Sequence, residues 1–423
     1  MIRPAPVAPA WIVSAVQWLK PSRLRAQAII LALCLWGVCI VDFATPGLLD
    51  RAGTIKFQDF LPLYVSAQMI ARGHSNELYD QHATADAMLA VVPESTRVRL
   101  PNLYGPQVGL FFVPLSRLSF PVAARLWVIA SLLIYAGSLS CVWKSCPALR
   151  TRLGLVALCA IAFPPLFHLL ARGQITAVVL ACFTAAFLAF RADRPWLAGF
   201  ALGVLVFKPQ FLVAIPIVLL LCRAWKTFTG LLLAAGLQLA FTSIYFGPTV
   251  MDAYFGTLWH ISRVIGSVEL SLAPIQMHSL RSFWSLLIPW PEIALTLYLL
   301  SSMIVVSLAA VVWKSSSPLT IRFSALTLAA VLVNPHLFVY DLLVLVPVLL
   351  LLVDWTLTNP HDPSSPKLGL LLYLTFVLPL FGPLSRWTHL QPSVPAFAVL
   401  LWILCRHFGT PSHKLASGES GVV

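Results

Sequence analysis

Long apolar runs recur along the whole chain, separated by short clusters of charged residues. Residues 26–41, 228–246 and 293–313 each carry no charged side chain. A helix of roughly 20 such residues crosses the hydrocarbon core of a bilayer. Hydrophobic residues make up 59% of the chain and charged residues 10%, and the mean hydropathy is +0.87, so a water-soluble globule is excluded. The sequence predicts an all-α, polytopic transmembrane helical bundle that forms one domain over residues 1–423.

Positive charges indicate the orientation of the bundle. Lysine and arginine are enriched on the cytoplasmic side of membrane proteins, and Lys20, Arg23 and Arg25 precede the first apolar run. No clear cleavage pattern follows that run, so we expect an uncleaved span. Length and charge together give about twelve spans and cytoplasmic N- and C-termini, with a tail over residues 409–423. The excess of 28 basic over 15 acidic residues then fits loops facing anionic lipid, with no role for nucleic acid.

Two loops are predicted on the extracytoplasmic side, residues 42–104 and 248–290. The first holds five basic and seven acidic residues, a net charge of 5 − 7 = −2, which argues against a cytoplasmic face. On this topology, five polar residues that resist a structural explanation fall on or near one face. These are Asp59, Arg172, Gln174, Lys208 and His336. We therefore expect one site at the outer membrane interface.

Lys208 lies between two short apolar runs. A cation in such a place costs about 2.5–3.5 kcal/mol on insertion scales, so it should face a partner or a water-filled cavity. Pro209 breaks the helix and leaves backbone groups to line that cavity. Phosphate binding is the functional interpretation, and snorkelling to a lipid headgroup is the structural one. Arg172, at the end of a span, is either a second phosphate ligand or a basic anchor.

Asp59 is the acidic candidate for catalysis. The residues Phe57, Phe60, Leu63 and Tyr64 around it have helical spacing, which predicts a short helix on the membrane with Asp59 at its start. Capping of that helix would also explain a carboxylate at this position. Later in the chain, Asp341 is either functional or paired structurally with an arginine or backbone donors, and His336 is either a ligand or an interfacial histidine.

The sequence indicates no metal or cofactor. Its eight cysteines show no zinc-ligand spacing and several lie within apolar runs, where cysteine is a small buried hydrophobe. There is no Asp-x-Asp pair, no glycine-rich phosphate loop and no Gly-x-Ser-x-Gly elbow. We therefore predict activity without a metal ion and without a nucleotide-binding domain.

Several short motifs resemble glycosyltransferase family 87 in their order and spacing. The family consists of integral membrane enzymes and includes mannosyltransferases that depend on polyprenol-phosphate-mannose. The resemblance covers roughly residues 57–350. Its motifs are Gln58-Asp59-Phe60 with Tyr64, Leu78-Tyr79-Asp80, Tyr104-Gly105-Pro106, Gly173-Gln174, Ala198-Gly199 with Gly203, Lys208-Pro209-Gln210, and Asn334-Pro335 with Tyr340-Asp341-Leu342.

The resemblance implies a C-type glycosyltransferase fold, in which the outer first loop carries interface helices and the active site. It also implies a polyprenyl-phosphate sugar donor held among membrane lipids, and a location in the bacterial inner membrane. The acceptor stays open: we expect a glycolipid or a polysaccharide, and a protein is the alternative. Asp59 would be the base of a single, inverting displacement. The donor phosphate would bind Lys208 first and Arg172 second. The substrate-binding residues would be Gln174, His336, Tyr340, Asp341 and Tyr64.

The chain departs from the family pattern in two places. The family often has Tyr-Pro-Pro where this chain has Tyr104-Gly105-Pro106. Mannosyltransferase-like members carry a histidine pair near the positions of Tyr340 and Asp341, whereas this chain has its histidine earlier, at His336. The donor sugar therefore stays open, with mannose as one candidate.

Two other functional classes are compatible with a buried lysine and aspartate. A transporter or lipid flippase would use them for coupling, but such proteins commonly show internal repeats, and none is visible in this sequence. A polymer ligase or a non-catalytic partner in envelope assembly would need a late outer loop rich in basic residues. The 248–290 loop has only Arg263 and Arg281, so both alternatives are less favoured than a glycosyltransferase.

Overall fold

The computed structural model describes residues 20–94, 100–272 and 276–409, without the side chains of residues 261–272. The predicted cytoplasmic tail after residue 409 and the first nineteen residues lie outside the described residues. Within these ranges the regular structure is helical, and extended pairing is limited to the isolated bridges Leu49–Ile55 and Met277–Phe338. The prediction of an all-α fold is therefore confirmed.

The first half of the chain alternates long and short helices. They are α1 (Pro21–Phe43), α2 (Leu61–Ala71), α3 (Gln81–Val91), α4 (Pro106–Ser116), α5 (Phe120–Trp143), α6 (Leu153–Ile161), α7 (Pro164–Arg172), α8 (Thr176–Arg191) and α9 (Pro195–Gly203). Short 3-10 helices lie at Ser75–Glu77, Pro147–Arg152, Val204–Phe207 and Pro209–Leu212.

The second half continues the bundle. Its helices are α10 (Ala214–Leu221), α11 (Trp225–Phe246), α12 (Pro248–Leu272), α13 (Leu280–Leu287), α14 (Pro291–Lys314), α15 (Leu319–Leu332), α16 (Val346–Thr358), α17 (Ser365–Val377), α18 (Ser385–Thr388) and α19 (Ser393–Phe408). The 3-10 helix Val339–Leu345 leads into α16, and a second, Leu378–Leu384, follows α17.

Six helical segments in the described ranges are long and apolar enough to cross a membrane. They are α1, α5, α11, α14, Val339–Thr358 and Ser365–Thr388. The helices Pro147–Ile161 and Pro164–Arg172 meet at a bend of 51° and give a seventh if the bent pair is counted as one span. Other apolar helices, such as α8 and α15, have 16 and 14 residues, and at 1.5 Å per residue they fall short of a core about 30 Å thick. The count of about twelve spans, which included such short helices, stays a prediction.

The core of the bundle lies around α15 and the Val339–Thr358 segment. Nearly every residue of α15 is buried, whereas α1 buries only Ala28. On α1, Ile30, Leu33 and Ile40 are 62–69% exposed. Large apolar side chains so exposed along a whole helix match a lipid environment. The fold thus has a protein-packed centre and a lipid-facing rim.

The short helix after Asp59 differs from its predicted position on the membrane. Residues 61–67 of α2 are all buried, because α2 packs against α4. Gly109 of α4 permits this approach, since a Cβ there would lie 2.7 Å from Cδ1 of Ile70. The aromatic spacing that suggested a membrane surface instead supplies contacts within the protein. The Asp59 loop is consequently fixed to the bundle.

Helices α9 and α11 pack closely together, shortly before the loop that carries Lys208. Gly199 and Gly203 are four residues apart on α9, and a Cβ on them would lie 1.8 Å and 2.2 Å from backbone carbonyl oxygens of α11. A Cβ on Gly230 of α11 would lie 2.1 Å from the carbonyl oxygen of Trp196. This spacing of small residues is a common device for close helix packing in membranes.

We predict that Gly230→Ala destabilises the protein and that Gly236→Ala on the same helix does not. A Cβ at Gly236 meets no atom within 4 Å, so the same chemical change is made with and without a clash. Overpacking costs about 1–3 kcal/mol. Thermal unfolding of the purified proteins in one detergent should show a lower midpoint for Gly230→Ala, and equal midpoints would contradict this helix contact.

Candidate active site

A polar site forms where several segments end at one level of the bundle. Asp59 comes from the loop before α2, and Tyr104 from the loop before α4. The α7–α8 turn supplies Arg172, Gln174 and Thr176. Lys208 comes from between two 3-10 helices, and Tyr340 and Asp341 from the start of another. Proline or glycine is the neighbour in sequence of four of these eight residues.

The α7–α8 turn is docked against the Asp59 loop. Gly173 ends α7 in the left-handed conformation, with φ 70°, where a side chain is disfavoured. A Cβ there would also lie 2.8 Å from Cβ of Phe60. The backbone N–H of Asp59 donates to the carbonyl of Arg172 over 3.0 Å, and Trp127 donates to the carbonyl of Gly173 over 3.0 Å. The turn and the loop therefore form one unit.

The carboxylate of Asp59 is bound from two sides by this turn. Gln174 Nε2 donates to Asp59 Oδ2 over 3.0 Å, and Arg172 Nη1 lies 3.8 Å from Oδ1. The same Arg172 nitrogen donates to Gln58 Oε1 over 3.2 Å. The N-cap of α2 is Phe60, with no side-chain capping bond, so helix capping does not account for this carboxylate.

Asp59 and Arg172 remain accessible. Their side chains are 16% and 27% exposed, whereas Gln174 beneath them is 6% exposed. Gln174 Nε2 also donates to Tyr340 Oη over 3.1 Å, and Tyr104 Oη donates to Gln174 Oε1 over 3.0 Å. These bonds fix the orientation of the amide. A rigid polar floor thus carries a reachable carboxylate and a reachable guanidinium.

A buried ion pair lies below this floor. Lys208 Nζ donates to Asp341 Oδ1 and to Thr176 Oγ1 over 3.0 Å. Thr176 in turn donates to the same Asp341 oxygen over 2.6 Å. The Lys208 and Asp341 side chains are 3% and 1% exposed. Lys208 therefore has the partner that its apolar setting requires. Asp341 forms a structural ion pair, as one of its two interpretations predicted, but its partner is a lysine and not an arginine.

Tyr64 and His336 are the other two predicted site residues. Tyr64 is buried among aromatic rings, and its hydroxyl donates to the carbonyl of Leu118 over 2.7 Å. His336 stands edge-on to Phe338, with ring centroids 4.9 Å apart, and Phe338 stacks on Tyr340 at 5.4 Å. His336 is thus at the margin of the site, one aromatic ring away from Tyr340.

Tyr104 and Thr176 belong to the site but were not among the predicted site residues. Tyr104 does stand in one of the family-like motifs, which gave a signal for its position. Thr176 is two residues after Gln174, and its role becomes visible only when Lys208 and Asp341 are placed on either side of it. The two contacts of Thr176, with Lys208 and with Asp341, join residues that are 32 and 165 positions apart in sequence.

The surrounding protein shifts the pKa values of Asp59 and Tyr104, which are both only partly exposed. Burial raises the pKa of Asp59 above its ordinary value, and Arg172, the Gln174 hydrogen bond and Lys208 oppose that rise. Burial raises the pKa of Tyr104 as well, with a further contribution from the negative charges of Asp341 and Asp59. Tyr104 is consequently a hydrogen-bond donor at neutral pH, and Asp59 is a better proton acceptor than an ordinary aspartate.

Metal ligands form no cluster among the described side chains, which are those of residues 20–94, 100–260 and 276–409. No group of three or more His, Cys, Asp or Glu side chains there could hold a metal ion. The chemistry available at the site is that of a carboxylate, a guanidinium and oriented neutral donors. Such groups can move a proton and stabilise an anion.

The fold and the site define a multi-pass membrane protein with a preformed polar centre. The model of glycosyltransferase family 87 matches residues 102–339, more than half of the 423 residues. The chain belongs to glycosyltransferase family 87, which confirms the resemblance and implies that it is a membrane glycosyltransferase. The match contains Arg172, Gln174 and Lys208 and begins after Asp59. No curated protein and no solved structure shows a significant match.

We predict that Lys208→Met and Asp341→Leu are each destabilising, whereas the double variant recovers much of the lost stability. Removing one partner of a buried ion pair leaves an uncompensated charge and costs about 3–5 kcal/mol, while an apolar pair of similar volume is often neutral. The measurement is the thermal midpoint and folded yield in detergent. A double variant no more stable than either single variant would contradict the pairing.

Proposed function

We propose that this glycosyltransferase moves a sugar from a polyprenyl-phosphate donor to a hydroxyl group of an acceptor, with Asp59 as the general base. The observation that carries the proposal is the Asp59 carboxylate itself. It is accessible, has a raised pKa, is oriented by Gln174 and lies beside an accessible cation. These are the properties that a base and a phosphate-binding group need in adjacent positions.

The transfer is a single displacement. The acceptor oxygen attacks the anomeric carbon of the donor sugar, and its proton passes to the Asp59 carboxylate. The bond between the anomeric carbon and the phosphate oxygen breaks, and the polyprenyl phosphate leaves with the bonding electrons. One displacement inverts the configuration at the anomeric carbon. Atoms and charge balance without a metal ion or a redox cofactor.

Arg172 is the better placed of the two predicted phosphate ligands. Its guanidinium is 27% exposed and lies at the level of Asp59, and arginine binds phosphate through several N–H groups. The Lys208 ammonium already bonds Asp341 and Thr176 in a buried position. We therefore assign charge stabilisation on the leaving phosphate to Arg172 and give Lys208 a positioning role.

We assign the remaining predicted residues to supporting the site or to binding the substrate. Gln174 and Tyr340 hold the floor against which the sugar binds, and Asp341 supports that floor from below. His336 lies at the margin of the site, where we assign it to substrate binding. Tyr64 fixes α2, since its hydroxyl bonds the carbonyl of Leu118. We keep mannose as one candidate for the donor sugar, and place the reaction on the extracytoplasmic side of a bacterial inner membrane.

We predict that Asp59→Asn abolishes sugar transfer while the protein remains folded in the membrane. The amide keeps the shape of the side chain but cannot accept the hydroxyl proton, and loss of general base catalysis typically costs 10²–10⁴-fold. The assay is release of radiolabelled sugar from a panel of polyprenyl-phosphate sugars in lipid nanodiscs. Asp86→Asn, an exposed acid of the same loop, is the matched control. Transfer by Asp59→Asn at the control rate would remove Asp59 as the base.

We predict that kcat/KM falls at low pH with a midpoint above 3.8, the ordinary pKa of an aspartate. A base acts when deprotonated, so a raised pKa makes kcat/KM fall as the pH drops through that higher value. Arg172 lowers the pKa of Asp59, so Arg172→Gln should move the fall to higher pH. Arg172→Lys keeps the charge and should leave it near the wild-type position. An unshifted profile in Arg172→Gln would contradict the coupling.

A further inference from the structure

Lys56, three residues before Asp59, is a buried cation to which the proposed reaction gives no role. Its side chain is 9% exposed. Its Nζ donates to the backbone carbonyls of Phe43 over 3.3 Å and Gly47 over 3.1 Å, and to that of Thr45 between them. A charge removed from water needs such bonds in compensation. Here the compensation comes from the main chain at the end of α1.

The short segment after α1 returns Lys56 to the end of that helix. Phe43 is the last residue of α1. The backbone N–H of Lys56 donates to the carbonyl of Leu48 over 2.9 Å, beside the Leu49–Ile55 bridge. The last carbonyls of a helix lack partners within the helix, and a cation is favoured near its C-terminus. Lys56 therefore ties the loop before α2 to the end of α1.

Phe57, directly after this lysine, has an unfavourable backbone conformation. Its φ is +56°, in the left-handed region, where a bulky side chain is an outlier. Such a conformation persists only where the surrounding structure holds it. The rings of Phe57 and Phe43 have their centroids 4.8 Å apart. The end of α1 thus contacts both Lys56 and the strained residue.

The left-handed turn at Phe57 leads directly to the proposed base. The backbone N–H of Phe60 donates to the carbonyl of Phe57 over 2.9 Å, and that of Asp59 donates to the carbonyl of Arg172 over 3.0 Å. A change of φ at Phe57 would rotate the residues that follow it relative to Lys56, and these bonds would break. The turn is therefore the mechanical link between Lys56 and Asp59.

We propose that Lys56 is a positioning residue for sugar transfer. Its bonds to the end of α1 hold the left-handed turn at Phe57, and this turn holds the Asp59 carboxylate beside Arg172. The proposal rests on the proposed role of Asp59 and adds the residue that keeps this carboxylate in place. Lys56 acts through the backbone and not on the substrate. Without its ammonium group, Phe57 relaxes to a negative φ and Asp59 leaves the α7–α8 turn.

Substitutions of Lys56 and a matched control separate this role from the loss of a charge in the loop. Lys56→Met removes the ammonium group from a side chain of similar length, and Lys56→Arg keeps a cation with several N–H donors. Arg51→Gln is the control, because Arg51 belongs to the same loop and pairs with Asp42 at an exposed position. Lys56→Gln, with a shorter side chain and a neutral donor, replaces Lys56→Met if that variant fails to fold.

The first measurement is amide hydrogen exchange by mass spectrometry in lipid nanodiscs, which requires no substrate. Peptides over residues 57–61 report on the loop, and peptides of α15 report on the fold of the bundle. We expect Lys56→Met to raise exchange in the loop about tenfold or more, and Lys56→Gln about threefold or more. Lys56→Arg and Arg51→Gln should match wild type. Exchange equal to that of Arg51→Gln in the folded Lys56→Met or Lys56→Gln protein would overturn the proposal.

Phe57→Gly tests whether Lys56 acts through the strained turn. Glycine adopts the left-handed conformation at no steric cost, so the docked loop should then depend less on the lysine. In a Phe57→Gly background we expect Lys56→Met to raise loop exchange less than about threefold, against about tenfold in the wild-type background. An equal effect in both backgrounds would overturn the proposed coupling through Phe57.

Steady-state kinetics separate this proposal from the proposed function. With the polyprenyl-phosphate sugar that wild type accepts, Lys56→Met should lower kcat about tenfold or more and leave the donor KM nearly unchanged, because Arg172 stays in place. Lys56→Arg should restore kcat. If Lys56→Met turns over like Arg51→Gln while Asp59→Asn is inactive, the positioning role is wrong and the base stands. If Asp59→Asn transfers at the wild-type rate, the base is wrong, and raised exchange in Lys56→Met still supports the link from Lys56 to the loop.

Discussion

The buried pair of Lys208 and Asp341 is the interaction on which the arrangement of the site depends. Neither charge can be left alone in an apolar interior, so their two segments must meet. Thr176 bonds both groups, and the second Asp341 oxygen accepts from the backbone N–H of Phe338 over 3.3 Å. One ion pair therefore fixes the start of α8, the break between two 3-10 helices and the start of the Val339–Thr358 segment.

The accessible chemistry is built on top of that pair. Tyr340 directly precedes Asp341 and Gln174 lies two residues before Thr176, and the two bond one another through Gln174 Nε2. The amide therefore reaches Asp59 in a defined orientation, and Arg172 is placed beside the carboxylate by the same turn. The buried Lys208 and Asp341 neutralise each other and stabilise the fold. Asp59 and Arg172 lie nearer the surface, where their carboxylate and guanidinium are available for chemistry.

The sequence predicted the class of protein and much of the site because both depend on strong local signals. Apolar runs identified membrane helices, and charges within or beside those runs identified Arg172, Lys208 and Asp341. Asp59 was identified by the apolar and aromatic residues around it in the first loop. The partner of Lys208 could not be read from the sequence, since Asp341 is 133 residues away. The burial of α2 also depended on tertiary packing, in particular on Gly109 of α4. Helices too short to cross a bilayer alone left the number of spans undetermined.

A structure with a donor analogue bound would test the central claim most directly. The suitable ligand is a non-cleavable phosphonate analogue of a polyprenyl-phosphate sugar, studied by cryo-electron microscopy in nanodiscs. The account predicts that the phosphonate oxygens lie within hydrogen-bond distance of Arg172, with the anomeric carbon facing the Asp59 carboxylate. A phosphonate bound away from Arg172, with the anomeric carbon out of reach of Asp59, would contradict the account.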